Sequence, residues 1–249
     1  MNSQITVSVI MPAYNAEKYI AQAIESVLFQ NVPLELLVID DCSSDHTAEV
    51  ARRYADGKKV ILICNDRNLG VAESRNIGIR RAVGKYVAFL DADDWWCAGK
   101  LEAQCQKLEG SDSVLCCTAR ELMSSDGTSQ NKVIEAPEKI TYSMLLRTNS
   151  IPCSSVLLET RVAKEFYMCH DELHEDYILW LRVLQKYGAA IGINKPFLFS
   201  RMSQGGKSRN KLKSAKMQFG VYRYMGFGII ASCYYFLMYA INGVRKYRA

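Results

Sequence analysis

Four short apolar runs, alternating with stretches of helical periodicity, constrain this chain more than any other feature. Thr6-Val-Ser-Val-Ile-Met11 is the first, and Pro12 is predicted to stop it. Asn15 then opens a helix whose apolar residues Tyr19, Ile20, Ala23, Ile24, Val27 and Leu28 recur at helical spacing. Leu34-Glu-Leu-Leu-Val-Ile39 follows and ends at Asp40-Asp41, with Ser43, Ser44 and Asp45 as N-caps for a helix running to Tyr54. Residues 60–64 read as a third strand, then Asn68-Leu-Gly70 leads into a helix predicted over 71–82, with Gly84 as its stop. Tyr86-Val-Ala-Phe-Leu90 is the fourth run. Strands and helices in this rhythm join through right-handed crossovers, so the fold class is α/β, with a doubly wound, mostly parallel, Rossmann-like sheet.

The fourth run ends in three carboxylates, Asp91, Asp93 and Asp94. Three acids this close at a strand end repel one another, and each tends to hold a proton. A bound cation relieves that, and oxygen ligands select Mg²⁺ or Mn²⁺. Open α/β sheets bind ligands beyond the carboxyl ends of their strands. The turn therefore reads as a site for a metal carrying a phosphorylated ligand; a merely solvated acidic turn is the alternative.

The second half is less regular. A helix is predicted near 99–108, a strand over 113–119 and an exposed loop at Ser124-Ser-Asp-Gly-Thr-Ser-Gln130. Ile151-Pro-Cys-Ser-Ser-Val-Leu-Leu158 reads as a loop entering a strand. Residues 176–187 form a helix with Tyr177, Trp180, Leu181 and Leu184 on one face and Gly188 beyond its end. With 249 residues the chain suits one domain and a tail. The expected division is 1–200, comprising a nucleotide-binding half (1–95) and an acceptor half (96–200), followed by a basic, aromatic helical tail (201–249). Nine cysteines without a CxxC pair, behind a start lacking a signal peptide, suggest reduced thiols in a cytosol and no zinc site.

Taken in order, Val9-Ile-Met-Pro-Ala-Tyr-Asn15, Ile39-Asp-Asp-Cys-Ser43, Asn68-Leu-Gly70 with Ser74-Arg-Asn-Ile-Gly78, Leu90-Asp-Ala-Asp-Asp94 and Glu175-Asp176 resemble glycosyltransferase family two. These are the inverting GT-A enzymes that use nucleotide sugars, and bacterial O-antigen, lipopolysaccharide and capsule enzymes look most alike. The resemblance implies that Pro12, Ala13 and Tyr14 line the nucleotide-base pocket and that Asp41 accepts from a base N–H, while Asp40 caps the strand end or fixes the loop. It implies that Arg75 reaches toward nucleotide and acidic turn, with Asn76 and Gly78 serving packing. Asp91 would lie near ribose and metal, Asp93 would bind the metal directly, and Asp94 would act behind it or toward the donor and acceptor. Trp95 and Trp96 either floor the sugar pocket or pack beneath the turn. Inversion needs one base on the acceptor side; the resemblance assigns it to Asp176, with Glu175 orienting the acceptor. The expected cofactor is Mn²⁺ or Mg²⁺ and the expected donor a UDP-sugar. A nucleotidyltransferase or a non-catalytic binding subunit on the same fold are the other readings.

His170 and His174 read as surface imidazoles, and Gly205-Gly-Lys-Ser208 does not complete a P-loop, whose first glycine would fall at Arg201. Arg201, Lys207 and Arg209 either close over the diphosphate as a lid or face a membrane. From Arg201 onward every charged residue is Lys or Arg, which calls for an anionic surface nearby. Residues 225–244 carry no charge, but glycines, Asn242 and many tyrosines favour an in-plane or re-entrant helix over a span. The expected partners are thus the donor, a saccharide or lipid-linked saccharide acceptor and the inner face of the plasma membrane, on its cytoplasmic side, with no nucleic acid.

Overall fold

The computed structural model describes residues 5–202 and 211–248. In chain order it forms β1 (Val7–Ala13), α1 (Ile20–Leu28), β2 (Leu34–Asp40), α2 (Thr47–Arg52), β3 (Val60–Cys64), α3 (Val71–Arg81) and β4 (Tyr86–Phe89). Then come β5 (Trp95–Trp96), α4 (Lys100–Glu109), β6 (Leu115–Met123), β7 (Ser129–Ile134), β8 (Lys139–Ile140) and α5 (Tyr142–Arg147). A 3₁₀ turn (Cys153–Ser155) leads to β9 (Leu157–Glu159), α6 (Thr160–Phe166), α7 (Glu175–Tyr187), β10 (Ala190–Arg201), α8 (Lys211–Tyr224) and α9 (Ile229–Arg248).

One mixed sheet runs β3-β2-β1-β4-β9-β6-β10-β5, with β7 paired to β6 and β8 to β10. The strands β3, β2, β1 and β4 are mutually parallel, and β9 enters antiparallel between β4 and β6. The chain winds outward from β1 to β3 and then returns to place β4 on the other side of β1. That reversal opens a crevice beyond the carboxyl ends of β1 and β4, where ligands of such sheets bind. Both strands are buried along their whole length because helices cover both faces. Residues of α1, α2 and α4 pack on one face, and those of α3, α5, α6, α7 and α8 on the other.

Several boundaries differ from the sequence reading, each for a local reason. Pro12 does not stop β1, which continues to Ala13 in register with Ile39 and Asp40. Ile10 O accepts from Leu90 on the β4 side and Ala13 O accepts from Asp41 on the β2 side. By alternation Pro12 faces β4, whose ladder has ended at Ile10, so its missing N–H costs no bond. Asn15 opens a turn rather than a helix: its φ is +50°, and α1 begins at Ile20. The helix expected to reach Tyr54 closes at Arg52. α3 ends at Arg81 without Gly84, which serves close approach instead, since a Cβ there would lie 2.7 Å from Ser8 N. β6 runs on to Met123 and turns through residues 124–128 into β7, so the expected loop is the tip of a hairpin.

Gly78 carries more weight for function. A Cβ on it would meet Ile10 at 2.5 Å, so α3 lies against β1 at a distance only glycine permits. That approach carries Arg75, one turn earlier, beneath the crevice.

Candidate active site

Two loops at the carboxyl ends of β1 and β2 are laced together by their own polar groups. Asn15 N donates to Ser43 Oγ at 3.0 Å, and Asn15 Oδ1 accepts from Ser44 N at 2.9 Å. Ala16 N donates to Thr47 Oγ1 at 2.7 Å, Glu17 N to Asp45 Oδ2 at 3.1 Å and His46 N to Glu17 Oε2 at 3.0 Å. The lacing leaves Tyr14 projecting, 54% exposed, while Pro12 and Ala13 remain buried in the strand end. An exposed ring above a rigid loop offers a face on which a base can stack.

Asp41 is 4% exposed and its carboxylate is well occupied. Oδ1 accepts from Asn65 Nδ2 and Leu69 N, and Oδ2 from Gly70 N, all at 2.8 Å. It thereby fastens the loop that introduces α3, a job the sequence pattern does not reveal. Asp40 Oδ2 accepts from Ser43 N at 3.2 Å, fixing the neighbouring loop as expected.

The acidic turn is equally tied down. Asp94 N donates to Asp91 O at 3.0 Å, Asp91 N to Ser154 Oγ at 3.1 Å, and Trp96 Nε1 to Ser154 O at 2.7 Å. Asp91 and Asp93 remain partly exposed, but Asp94 is buried and its Oδ1 accepts from Arg201 N at 2.9 Å. Burial, then the nearby charges of Asp93 and Asp91, push the Asp94 carboxyl well above its usual range. Trp96 is buried beneath the turn, with the fully buried Lys100 ammonium 4.0 Å over its ring; packing is its role. Trp95 stacks on Phe199 at 5.4 Å and stays half-buried.

Arg75 joins the two sides of the crevice. Its guanidinium, almost fully buried, meets Asp91 Oδ1 at 2.6 Å and Glu175 Oε1 at 2.8 Å. Glu175 and Asp176 open α7, where acids suit the positive end of the helix. The helix is anchored by Tyr177 Oη on Leu145 O at 2.7 Å and by Trp180 against Phe89, ring centres 6.0 Å apart. The Asp176 carboxyl is pushed up to about 7, first by burial and then by the charge of Glu175. A group titrating there is matched to accepting a proton near neutral pH.

Arg201 is not a lid. It is buried at the end of β10, with Nε on Asp93 O at 3.0 Å, Nη1 on Ser125 O at 3.0 Å and Nη2 on Gln22 Oε1 at 2.8 Å. Its plane lies over Tyr19 and Trp95, so it anchors the acidic turn from below. Lys207, Arg209 and the Gly205 to Ser208 stretch lie outside the described residues. His170 sits 2.7 Å from Glu172 and edge-on to Tyr224, so its contacts are local.

Among the described residues there is no group of three or more His, Cys, Asp or Glu able to hold a metal by protein ligands alone. Asp91 and Asp93 nevertheless fit a cation whose remaining ligands come from a substrate diphosphate and water, as is usual for Mg²⁺. The Asp94 carboxyl is raised first by burial and then by the charges of Asp93 and Asp91, and such a cation would offset the second of these.

Sequence reasoning missed Ser154 and Asn65 and gave Arg201 a different role. Each fastens a loop through bonds spanning 24 to 108 positions, so no local pattern signals them.

A mixed sheet with four parallel strands in reversed order, an acidic turn at its crevice and an acidic helix entrance opposite are the arrangement of a GT-A fold. Residues 8–158 match the family described as Glycosyl transferase family 2, and the chain belongs to that family. It is 35% identical over 243 residues, with 96% of each chain covered, to a Bacillus subtilis protein named as the teichuronic acid biosynthesis glycosyltransferase TuaG. It is 37% identical to the Escherichia coli UDP-Glc:alpha-D-GlcNAc-diphosphoundecaprenol beta-1,3-glucosyltransferase WfgD, over 97% of this chain and 94% of that one. Among solved structures, the Pyrobaculum calidifontis mannosyltransferase PcManGT in complex with GDP-Man and Mn²⁺ superposes with a TM-score of 0.72. That match has 18% identity over 91% of this chain and 66% of the other, just under two thirds, and shows the shared fold.

Proposed function

We propose that this transferase is metal-dependent and inverting, and moves a sugar from a UDP-sugar onto a saccharide carried by a lipid. The observation that carries the mechanism is the buried bridge from Asp91 through Arg75 to Glu175, beside Asp176. The bridge fixes the distance between a donor-side acid and the acceptor-side pair, so both halves of the reaction share one rigid frame. Tyr14, with Pro12 and Ala13 behind it, would stack on the base, and Asp41 would accept from its N–H. Asp91 and Asp93 would hold Mn²⁺ or Mg²⁺, which when bound neutralises the departing diphosphate. Asp94 shapes the donor site from beneath by holding the turn to β10. Across the crevice Asp176 would take the proton of the attacking hydroxyl while Glu175, held by Arg75, orients the acceptor. The donor and acceptor classes rest on the name of the WfgD relative, and the metal on the Mn²⁺ complex of the structural neighbour.

Location at the inner membrane face belongs to the same proposal. Among the described residues no helix is long and apolar enough to cross a membrane. α9 instead shows an exposed apolar stripe, Ile230, Tyr234, Leu237, Ile241 and Val244, spaced at the helical period. Its other face packs on α5 and α8, Asn242 Nδ2 donating to Arg147 O at 3.1 Å and Tyr222 Oη of α8 donating to Tyr235 O at 3.4 Å. The helices α8 and α9 of the proposed tail are thus fastened to the rest of the chain, and α9 presents one face outward.

Asp176→Asn tests the reaction. Transfer should fall by roughly 10² to 10⁴-fold, while UDP affinity with Mn²⁺ by calorimetry stays unchanged. Turnover within a few-fold of wild type would remove Asp176 as the base.

A further inference from the structure

A cavity of about 660 Å³ lies between β7, α5 and α9, outside the crevice already described. Its charged lining is Lys132, Arg147 and Glu135, a net excess of one positive charge, and Thr148, Ser150 and Asn242 add uncharged polar groups. Val133 and Met144 line it too and are 46% and 41% exposed, so its mouth is apolar on one side. We infer that this groove seats the diphosphate of the lipid-linked acceptor, a proposal that rests on the lipid-linked reading above.

Three features place that ligand. Arg147 presents a fork of donors suited to phosphate oxygens, and Lys132 supplies a second cation across the groove. Asn242, which lines the groove, belongs to α9, and its neighbours Ile241 and Val244 are part of the exposed apolar stripe. A lipid chain leaving the groove therefore meets the face proposed to lie on the membrane. In the other direction Ser150 is four residues from Ser154, whose hydroxyl binds Asp91 N. Four residues reach at most ~14 Å, which bounds the distance from the groove's lining at Ser150 to the residue that holds the acidic turn. A diphosphate held there would present the sugar attached to it toward Asp176, with the lipid trailing behind.

The test uses the full chain and phosphatidylcholine vesicles doped with undecaprenyl diphosphate or, at matched surface charge, with phosphatidylglycerol. In co-sedimentation the wild type should prefer the diphosphate vesicles. Lys132→Ala combined with Arg147→Ala should lose that preference, binding them roughly tenfold more weakly, while phosphatidylglycerol binding and UDP affinity with Mn²⁺ persist. Arg147→Glu alone should act in the same direction. Equal wild-type binding to both vesicle types, or a preference that survives the double substitution, would overturn the inference. If UDP binds normally in that case, this groove alone is wrong; if UDP does not bind the wild type, the UDP-sugar reading fails with it.

Discussion

The two parts of this molecule proposed to hold the donor and the acceptor are built on different principles. In residues 1–95 the strands β3, β2, β1 and β4 are parallel and joined by helical crossovers, and the proposed donor-site groups sit directly at strand ends. In the acceptor half β9 inserts antiparallel between β4 and β6, and β10 follows α7 to pair with β6 and β5. There the proposed functional groups, Glu175 and Asp176, sit at a helix entrance, and Glu175 is held directly by Arg75 at 2.8 Å. The proposed mechanism requires both, and Arg75 joins them through its ion pairs with Asp91 and Glu175.

Removing that bridge should have the largest effect on the frame. Arg75→Met leaves Asp91 and Glu175 facing each other without a buried counter-charge, and should cost ~3–5 kcal/mol by denaturant unfolding. A near-neutral result would mean that the halves hold their geometry independently. Asp93→Ala should leave stability nearly unchanged yet remove the metal dependence of UDP binding in calorimetry, since Asp93 lies on the donor side of the bridge.

A subtler difference appears in pH dependence. The Asp176 carboxyl is raised to about 7 in the folded protein, against about 4 in an unfolded chain. Between these values the unfolded state releases the proton and the folded state keeps it. Stability therefore falls as pH rises from about 4 to 7. Asp176→Asn should flatten part of that fall in thermal melts of the ligand-free protein, Asp94 supplying the rest in the same direction. An unchanged slope would show that Asp176 titrates normally. The smallest effect belongs to the outward face of α9: Leu237→Ser should change stability by no more than ~0.5 kcal/mol, yet weaken vesicle binding.

The same contrast decides what was legible beforehand. The first 95 residues were readable because parallel crossovers impose local periodicity, the acidic turn stands out as clustered charge, and the Glu175-Asp176 pair was found through the family resemblance. The errors there were local: Pro12 sits in a strand because its N faces a ladder that has already ended, and Asn15 enters a left-handed turn that Ser43 and Ser44 complete from another loop. In the acceptor half the hairpin of β6 and β7 was hidden by a polar tip, and Arg201, a candidate lid by composition, is an anchor by burial. The second, outward apolar face of α9 was likewise invisible in hydropathy, which counts residues without saying which neighbours cover them.

A crystal structure of the protein with UDP and Mn²⁺ tests the central claim most directly. The expected result is the uracil against Tyr14, the cation on Asp91 and Asp93 at ~2.1 Å with the diphosphate beside it, and Asp176 open across the crevice. A nucleotide bound elsewhere, above an aspartate turn that holds no cation, would contradict it.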